Sequence, residues 1–156
     1  MVRALSSHDE SLPPQGVSFT PARATEMLPL LKTIMQDAWH LSQSIQRQRA
    51  QIKGIDRLAE TIEHPSYRDE VNDIRGTLAE DEARLDRCLL EMRLLGVEPH
   101  VPIDGSIDFP AIVNRQPVRL CWTLGEDSVE HWHDIGQAPE TRRPLPKPPS
   151  AAEQCR

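Results

Sequence analysis

Apolar residues recur at alternating steps of four and three along two adjoining stretches of this chain, and this repeat limits its fold more than any other feature. A spacing that averages about 3.5 residues is typical of helices packed along a narrow seam, whereas strand side chains alternate with a period of two. The seam residues are Met27, Leu31, Ile34, Ala38, Leu41, Ile45, Ile52, Ile55, Ala59 and Ile62, followed by Val71, Ile74, Leu78, Leu85, Cys88, Met92 and Leu95. The sequence therefore predicts two long helices.

The ends of both helices carry residues that helix termini favour. Thr20 is a suitable N-cap, and Pro21 occupies the first helical position, where its missing N–H costs nothing. A serine cap opens the second helix, and a glycine followed by a proline ends it. We expect helices at 20–63 and 66–95, with a local bend at Pro29 and the helix continuing beyond it.

Charged residues beside the seams indicate how the two helices pair. An antiparallel alignment that places Ile45 opposite Cys88 also brings apolar residues together in the other layers. Gln48 and Asp81 are the polar members of the two seams, and we expect this polar pair to help fix the register. In the same alignment opposite charges meet beside the seam, which favours this orientation: Glu63 with Arg68, Asp56 with Arg75, and Arg49 with Glu82.

After the second helix the apolar period changes to two. Residues 107–111 are typical of a short edge strand, because Pro110 cannot donate to a central ladder. A turn at 114–116 leads to a strand at 118–124, and 129–133 is a third strand or an extended segment. The predicted fold is mainly α with a small β part (α+β). A long antiparallel two-helix coiled-coil hairpin carries a two- to three-stranded antiparallel meander, packed at the open end where the first helix begins and the second ends.

The chain is expected to form one domain with two polar ends. Residues 1–18 are polar and contain Pro13-Pro14 and Gly16, which predicts a disordered lead-in. A single domain covers 19–143, with the meander at 106–133. Prolines recur through 144–156, which predicts a mobile tail.

Charge and cysteine content narrow the classes of partner and compartment. A net charge of -6 and a pI of about 5.5 provide no positive field to attract nucleic acid or an anionic membrane surface. No window is long and apolar enough to span a bilayer. The three cysteines form no disulfide framework, which fits reduced thiols. We therefore expect a cytoplasmic protein with neither nucleic acid nor membrane as a partner.

The open end of the hairpin carries apolar side chains that lie off the seam. They are Leu28, Leu30, Trp39, Leu89, Leu90 and Leu94. The meander covers part of this surface, but a two-helix hairpin has a narrow core of its own. The sequence therefore predicts a homodimer with a four-helix arrangement, or a protein partner at this end.

A set of short motifs lies between residues 19 and 145: Phe19-Thr20, Met27-Leu28-Pro29-Leu30-Leu31, Ile107-Asp108-Phe109-Pro110-Ala111, Leu120-Cys121-Trp122, Leu124-Gly125-Glu126, Trp132-His133 and Arg142-Arg143-Pro144-Leu145. Together they resemble a family of small bacterial proteins catalogued as a domain of unknown function, and the resemblance implies no activity. The family tends to read Tyr-Trp-His-Glu where this chain has His131-Trp132-His133-Asp134. It also tends to have a Gly-Phe-x-Gly-Arg segment, where this chain has residues 137–141.

Two histidines near the end of the meander predict a metal site. His131 and His133 would share one face of a strand, because strand residues two apart point the same way. With Glu126, Asp134 or Cys121 nearby they can bind a divalent metal such as zinc. The family resemblance includes only His133 of the two, and a polar strand edge with a structural histidine explains the same residues.

A different ligand would be recognised by cationic groups. His133, Arg142 and Arg143 can grip an anionic or small-molecule ligand, with Asp108 and Trp122 as further candidate contacts. Each has a structural alternative, because an Asp before Phe-Pro is commonly a turn or cap carboxylate and a tryptophan in a strand is commonly core.

The geometry of either site depends on the strand register, which the turn length decides. A four-residue loop at 125–128 places Trp122 opposite His131. One additional loop residue instead places Cys121 opposite His133, which groups a thiol with an imidazole and suits a metal better.

The sequence contains no glycine-rich phosphate loop after a strand, no Gly-x-Ser-x-Gly and no cysteine pair spaced for zinc. Two hypotheses remain. The favoured one is a non-enzymatic interaction or scaffold protein built on a self-associating helical hairpin. The alternative is a small metal- or anionic-ligand-binding protein, or an enzyme, with its site between residues 108 and 143.

Overall fold

The computed structural model describes residues 18–60, 65–137 and 139–146. Its elements, in chain order, are α1 (Pro21–Glu26), α2 (Leu28–Ala59), α3 (Pro65–Leu94), β1 (Glu98–Pro99), β2 (Ser106–Val113), β3 (Gln116–Thr123), β4 (His131–Asp134), a 3-10 turn (Pro139–Thr141) and β5 (Arg143–Pro144). The predicted α+β class is confirmed, since α2 and α3 pack together and an antiparallel sheet follows them. The sheet has five strands, where two or three were predicted.

The first helix is interrupted close to the predicted bend. Thr20 caps α1 by accepting a hydrogen bond from the Arg23 N–H at 3.2 Å. The helix breaks at Met27 and restarts at Leu28, so that Pro29 lies in the first turn of α2, where a proline lacks no helical hydrogen bond. The structure therefore has two consecutive helices, α1 and α2, where one helix at 20–63 was predicted.

The antiparallel register of α2 and α3 agrees with the charge pairs predicted from the sequence. Arg49 lies 2.6 Å from Glu82, and Arg75 lies 3.8 Å from Asp56. The third predicted pair, Glu63 with Arg68, lies outside the described residues because Glu63 is not among them. The polar seam residues also meet, since the Gln48 side-chain amide donates to Asp81 at 2.9 Å.

All strands are antiparallel and follow the chain in the order β1-β2-β3-β4-β5. β2 and β3 form a hairpin whose turn is Asn114-Arg115, both with positive φ. The predicted three-residue turn was therefore too long, and Gln116 already belongs to β3. β2 is not an edge strand either, but β1 pairs only with Ile107 and Asp108. Pro110 therefore faces no β1 residue.

The register between β3 and β4 differs from both predicted registers. Cys121 lies opposite His131, and Leu120 lies opposite Trp132. The connection between the strands spans residues 124–130, which is longer than the predicted loop of four or five residues. Hydrogen bonds outside the β ladder hold it: the Leu124 N–H donates to the Gly105 carbonyl at 2.8 Å, and the Trp122 indole N–H donates to the Glu126 carbonyl at 2.9 Å.

One face of the sheet packs on the open end of the hairpin. Its fully buried residues include Ile107, Phe109, Leu120 and Trp122, which join a core with helix residues such as Leu31. Strand side chains alternate between faces, so Asp108 and Cys121 project from the opposite face. The core therefore decides which residues the second face can present.

The last strand of the sheet includes Pro144, the first residue of the predicted tail. Arg143 and Pro144 pair with β4 as β5, and the Leu145 N–H donates to the Glu130 carbonyl at 2.7 Å. The remainder of the predicted tail, 147–156, and the predicted lead-in up to residue 17 lie outside the described residues. Within the part of the chain that is described, no helix combines the length and apolar character needed to cross a membrane.

The core generates a stability prediction. Phe109 is fully buried and makes an edge-to-face contact with Phe19 at 5.4 Å between ring centroids. Phe109→Ala should lower the free energy of unfolding by about 3–5 kcal/mol in urea denaturation, because it leaves a cavity. Ile112→Ala on the same strand is the matched control: Ile112 is 63% exposed, and its loss should cost about 0.5 kcal/mol or less. Equal effects of the two substitutions would contradict the assigned faces of β2.

Candidate metal centre

Four potential metal ligands converge on the sheet face opposite the helices. They are His100, Asp108, Cys121 and His133, and one ligand atom from each lies within 4.8 Å of all the others. Cys121 and His133 are buried, and the other two are partly buried. The group therefore has the composition and compactness of a transition-metal site.

The sheet register brings three of these residues together. Asp108 on β2 lies directly opposite Cys121 on β3, so their side chains share a face. His133 on β4 pairs with Arg119, two residues from Cys121 along β3, and thus reaches the cluster diagonally. Each of the three central strands therefore contributes one ligand from the same face.

The fourth residue, His100, comes from the connection between β1 and β2. Its backbone N–H donates to the Ser106 carbonyl at 3.0 Å, and Asp104 accepts the Ser106 N–H at 2.8 Å. Gly105 has a φ of +86°, and a Cβ there would lie 3.3 Å from the Leu124 Cβ. The loop thus requires glycine at this position to fold back over the sheet.

Both histidines direct Nε2 at the same oxygen atom. His100 Nε2 lies 2.9 Å and His133 Nε2 lies 3.1 Å from Asp108 Oδ1. The Nδ1 atoms are engaged elsewhere: His100 Nδ1 lies 3.2 Å from Asp104 Oδ2, and His133 Nδ1 lies 2.9 Å from the Asp134 carbonyl oxygen. Outer carboxylates and carbonyls of this kind are the usual partners of metal-bound histidines.

The carbonyl of Asp134 determines the protonation of His133. A carbonyl oxygen only accepts, so Nδ1 must carry the proton, and in the neutral ring Nε2 then presents a lone pair. That lone pair points at a carboxylate oxygen of Asp108, so that two acceptors face each other. A proton on Nε2, or a cation bound between the two groups, removes this repulsion.

Hydrogen bonding and burial shift the pKa values of three members of the cluster. The hydrogen bond to Asp108 raises the pKa of His100 to about 9, although burial opposes the charge. Burial alone would raise the pKa of Asp108, but hydrogen bonds from His100 and His133 outweigh it and hold that pKa below its ordinary value. Burial, reinforced by the charge of Asp108, raises the pKa of the Cys121 thiol to about 12. The thiol is therefore neutral at physiological pH and is not an activated nucleophile.

The residues predicted from the sequence as metal ligands are divided between two groups. Cys121 and His133 lie in the cluster, together with Asp108, which was predicted as a ligand contact. Glu126 and His131 lie beside it, with His131 Nδ1 3.8 Å from Glu126 Oε2. Among the described residues, His131 Nδ1 finds no hydrogen-bond partner.

The remaining predicted contacts have different positions. Arg142 forms an ion pair with Glu126 and donates to Thr123 Oγ1 at 3.3 Å. Its charge also opposes the rise in the pKa of the Cys121 thiol, so it adjoins the cluster. Arg143 pairs with Asp134 at 2.7 Å and lies over the Trp132 ring. Trp122 is fully buried on the helix-packed face, which is opposite the face that carries the cluster. Its position follows from the alternation that places Cys121 on the other face.

Sequence reasoning did not identify His100. This residue lies in a non-periodic loop, where no pattern relates it to the strands. The available signal was a histidine four residues before an aspartate and followed by Gly105. That spacing allows a carboxylate to orient an imidazole, as Asp104 does.

Comparison with curated proteins and with solved structures finds no match to this chain. A family model described as uncharacterized conserved protein (DUF2203) matches residues 18–145. The match contains α1 through β5 and all four residues of the cluster. It confirms the resemblance to a domain of unknown function, and the chain belongs to the DUF2203 family.

Proposed function

We propose that this protein binds a divalent transition metal, best fitted by zinc, through His100, Asp108, Cys121 and His133. The observation that carries the proposal is the pair of Nε2 atoms that meet at one Asp108 oxygen while both Nδ1 atoms have outer partners. This arrangement orients two imidazole lone pairs toward a common point before any metal arrives.

The donor atoms support zinc over harder cations. Two imidazole nitrogens and one sulfur suit zinc, whereas magnesium and calcium prefer oxygen ligands. A cation also resolves the electrostatics, because it replaces the protons on His100 and Cys121. With Asp108 and Cys121 both anionic, a divalent ion leaves no net charge in the group formed with two neutral histidines.

Four protein ligands fill a tetrahedron, which is typical of structural zinc sites, whereas catalytic sites leave a position for water. The ligands come from β2, β3, β4 and the loop that follows β1. A metal at this position would therefore tie the loop to three strands. The proposed role is a metal-stabilised, non-enzymatic fold.

Metal content tests this proposal. The purified protein should contain about one zinc per chain by elemental analysis, and His133→Ala and His100→Ala should each lower affinity at least about tenfold, as measured by competition with a chelator. His131→Ala is the matched control, because it removes an imidazole from the same strand but outside the cluster. Absence of metal, or equal loss in all three variants, would contradict the proposed ligand set.

The free energy of unfolding of the metal-free protein should depend on pH because of the ionisation of His100. Its folded pKa of about 9 exceeds the ordinary value of 6.5, so its pairing stabilises the fold fully below pH 6.5 and loses this effect as pH rises through about 9. The difference corresponds to at most about 3 kcal/mol. Urea denaturation in chelator between pH 6 and 10 should show this decline, and His100→Gln should remove most of it. His40→Gln, at an exposed helical position, should keep the wild-type slope; a wild-type slope in His100→Gln would contradict the assignment.

We further propose that the hairpin self-associates as a homodimer, the scaffold role indicated by its sequence. The supporting observation is an uncovered apolar strip on α3, where Leu90 and Leu94 lie one helical turn apart and are 55% and 78% exposed. Leu30 on α2 is also exposed.

Sedimentation velocity at micromolar concentration tests this association. The wild-type protein should sediment as a dimer, and Leu90→Glu with Leu94→Glu should shift it to monomer, because charges oppose burial of the strip. Leu58→Glu, which also replaces an exposed leucine of the hairpin but far along α2, should leave the dimer intact. A wild-type monomer would remove the proposal.

A further inference from the structure

We propose that Arg142, held by Glu126, is a positioning residue of the metal site, and that its guanidinium donates a hydrogen bond to the metal-bound Cys121 sulfur, which sets the strength and direction of the metal–thiolate bond. This inference rests on the proposed metal-binding function and deepens it by naming the residues that tune the sulfur ligand. Neither Arg142 nor Glu126 belongs to the four-residue cluster itself.

The position of Glu126 is fixed by the turn that follows β3. The Glu126 backbone N–H donates to the Thr123 carbonyl at 3.0 Å, and the Glu126 carbonyl accepts from the Trp122 indole N–H at 2.9 Å. The Glu126 Oε2 atom accepts from the Thr123 backbone N–H, with 3.5 Å between oxygen and nitrogen, and Oε1 forms the ion pair with Arg142. The carboxylate is therefore anchored at both backbone and side chain.

Arg142 is held by several contacts at once. Its Nη1 forms the ion pair with Glu126 Oε1 and lies 3.3 Å from Thr123 Oγ1. Thr123 and Cys121 are two residues apart on β3 and share a face, which places the guanidinium beside the sulfur. A guanidinium presents five donors in a rigid plane, so fixing it on Glu126 also fixes the donor that faces the sulfur. The segment before β5 thus supplies an outer partner to a ligand on β3.

The sulfur needs such a partner. A buried thiolate without a donor carries its charge unsolvated, and the donor that stabilises it also withdraws electron density from the metal–sulfur bond. Each of the other ligands already has one: Asp104 for His100, Asp134 for His133, and the two imidazoles for Asp108 in the metal-free state. Arg142 completes this outer set for Cys121.

Charge balance explains why the arginine is paired. The divalent ion with Asp108 and Cys121 is neutral, and an unpaired Arg142 would add a positive charge beside it. Glu126 cancels that charge while leaving the donor in place. The pair can therefore tune the sulfur without altering the net charge of the site.

Cobalt(II) is a suitable probe, because a thiolate bound to cobalt gives a charge-transfer band in the near ultraviolet. The full chain is titrated with cobalt at one pH, and affinity is measured by chelator competition. Arg142→Gln should shift the band to lower energy and weaken cobalt binding about 10-fold or more. Glu126→Gln should change the band and the affinity in the same direction. Arg142→Lys should restore part of the band energy and part of the affinity. Arg47→Gln, which removes the same charge at an exposed position on α2, should match wild type.

The outcomes separate this inference from the function beneath it. A wild-type protein that binds no cobalt would overturn the proposed metal site itself. Cobalt binding with a normal band and affinity in Arg142→Gln would overturn only the role of Arg142. Cobalt binding by wild type without a thiolate band would exclude Cys121 as a ligand, and would overturn both the proposed ligand set and the role of Arg142. Circular dichroism of the metal-free variants identifies any folding defect. Arg142→Lys then gives the deciding comparison. If its band and its affinity equal those of a folded Arg142→Gln or Glu126→Gln protein, the result also contradicts the role of Arg142.

Discussion

Burial of one face of β2 and β3 against the open end of the hairpin is the constraint on which the rest of the structure depends. Ile107, Phe109, Leu120 and Trp122 are all fully buried there. Because the side-chain period of a strand is two, their burial obliges Asp108 and Cys121 to face the other side together. A slip of one residue would bury a carboxylate among apolar side chains and expose the core, which is strongly disfavoured. The hydrophobic core thereby places the candidate metal ligands without contacting the metal site.

Much of this could be predicted from the sequence. The helical hairpin follows from a local repeat, and its register follows from charge pairs such as Arg49 with Glu82, which lie 2.6 Å apart. The assignment of Cys121 to the face opposite Trp122 also follows from alternation alone. These features depend on short-range periodicity, which a sequence displays directly.

The remainder depends on contacts between segments distant in the chain. The register of β3 with β4 reflects the 124–130 connection, which Gly105 and Trp122 hold through hydrogen bonds that no local pattern encodes. His100 reaches the site only because the loop after β1 folds back over the sheet. Glu126 was predicted as a metal ligand, and the structure places it beside the cluster in an ion pair with Arg142. Its proximity to the site was predictable, but its partner Arg142 was not, because that contact joins two separate segments.

The loop that carries His100 also links the site to the hairpin. Val101, Pro102 and Ile103 line a groove of about 370 Å³ against α2 and α3, with Ile45 and Leu89 on the opposite wall. His100 is fixed on one side of this loop by Asp104 and Asp108, and the next three residues shape the groove on the other. The short segment after β1 therefore contributes both to the candidate metal centre and to a groove on the surface of the hairpin.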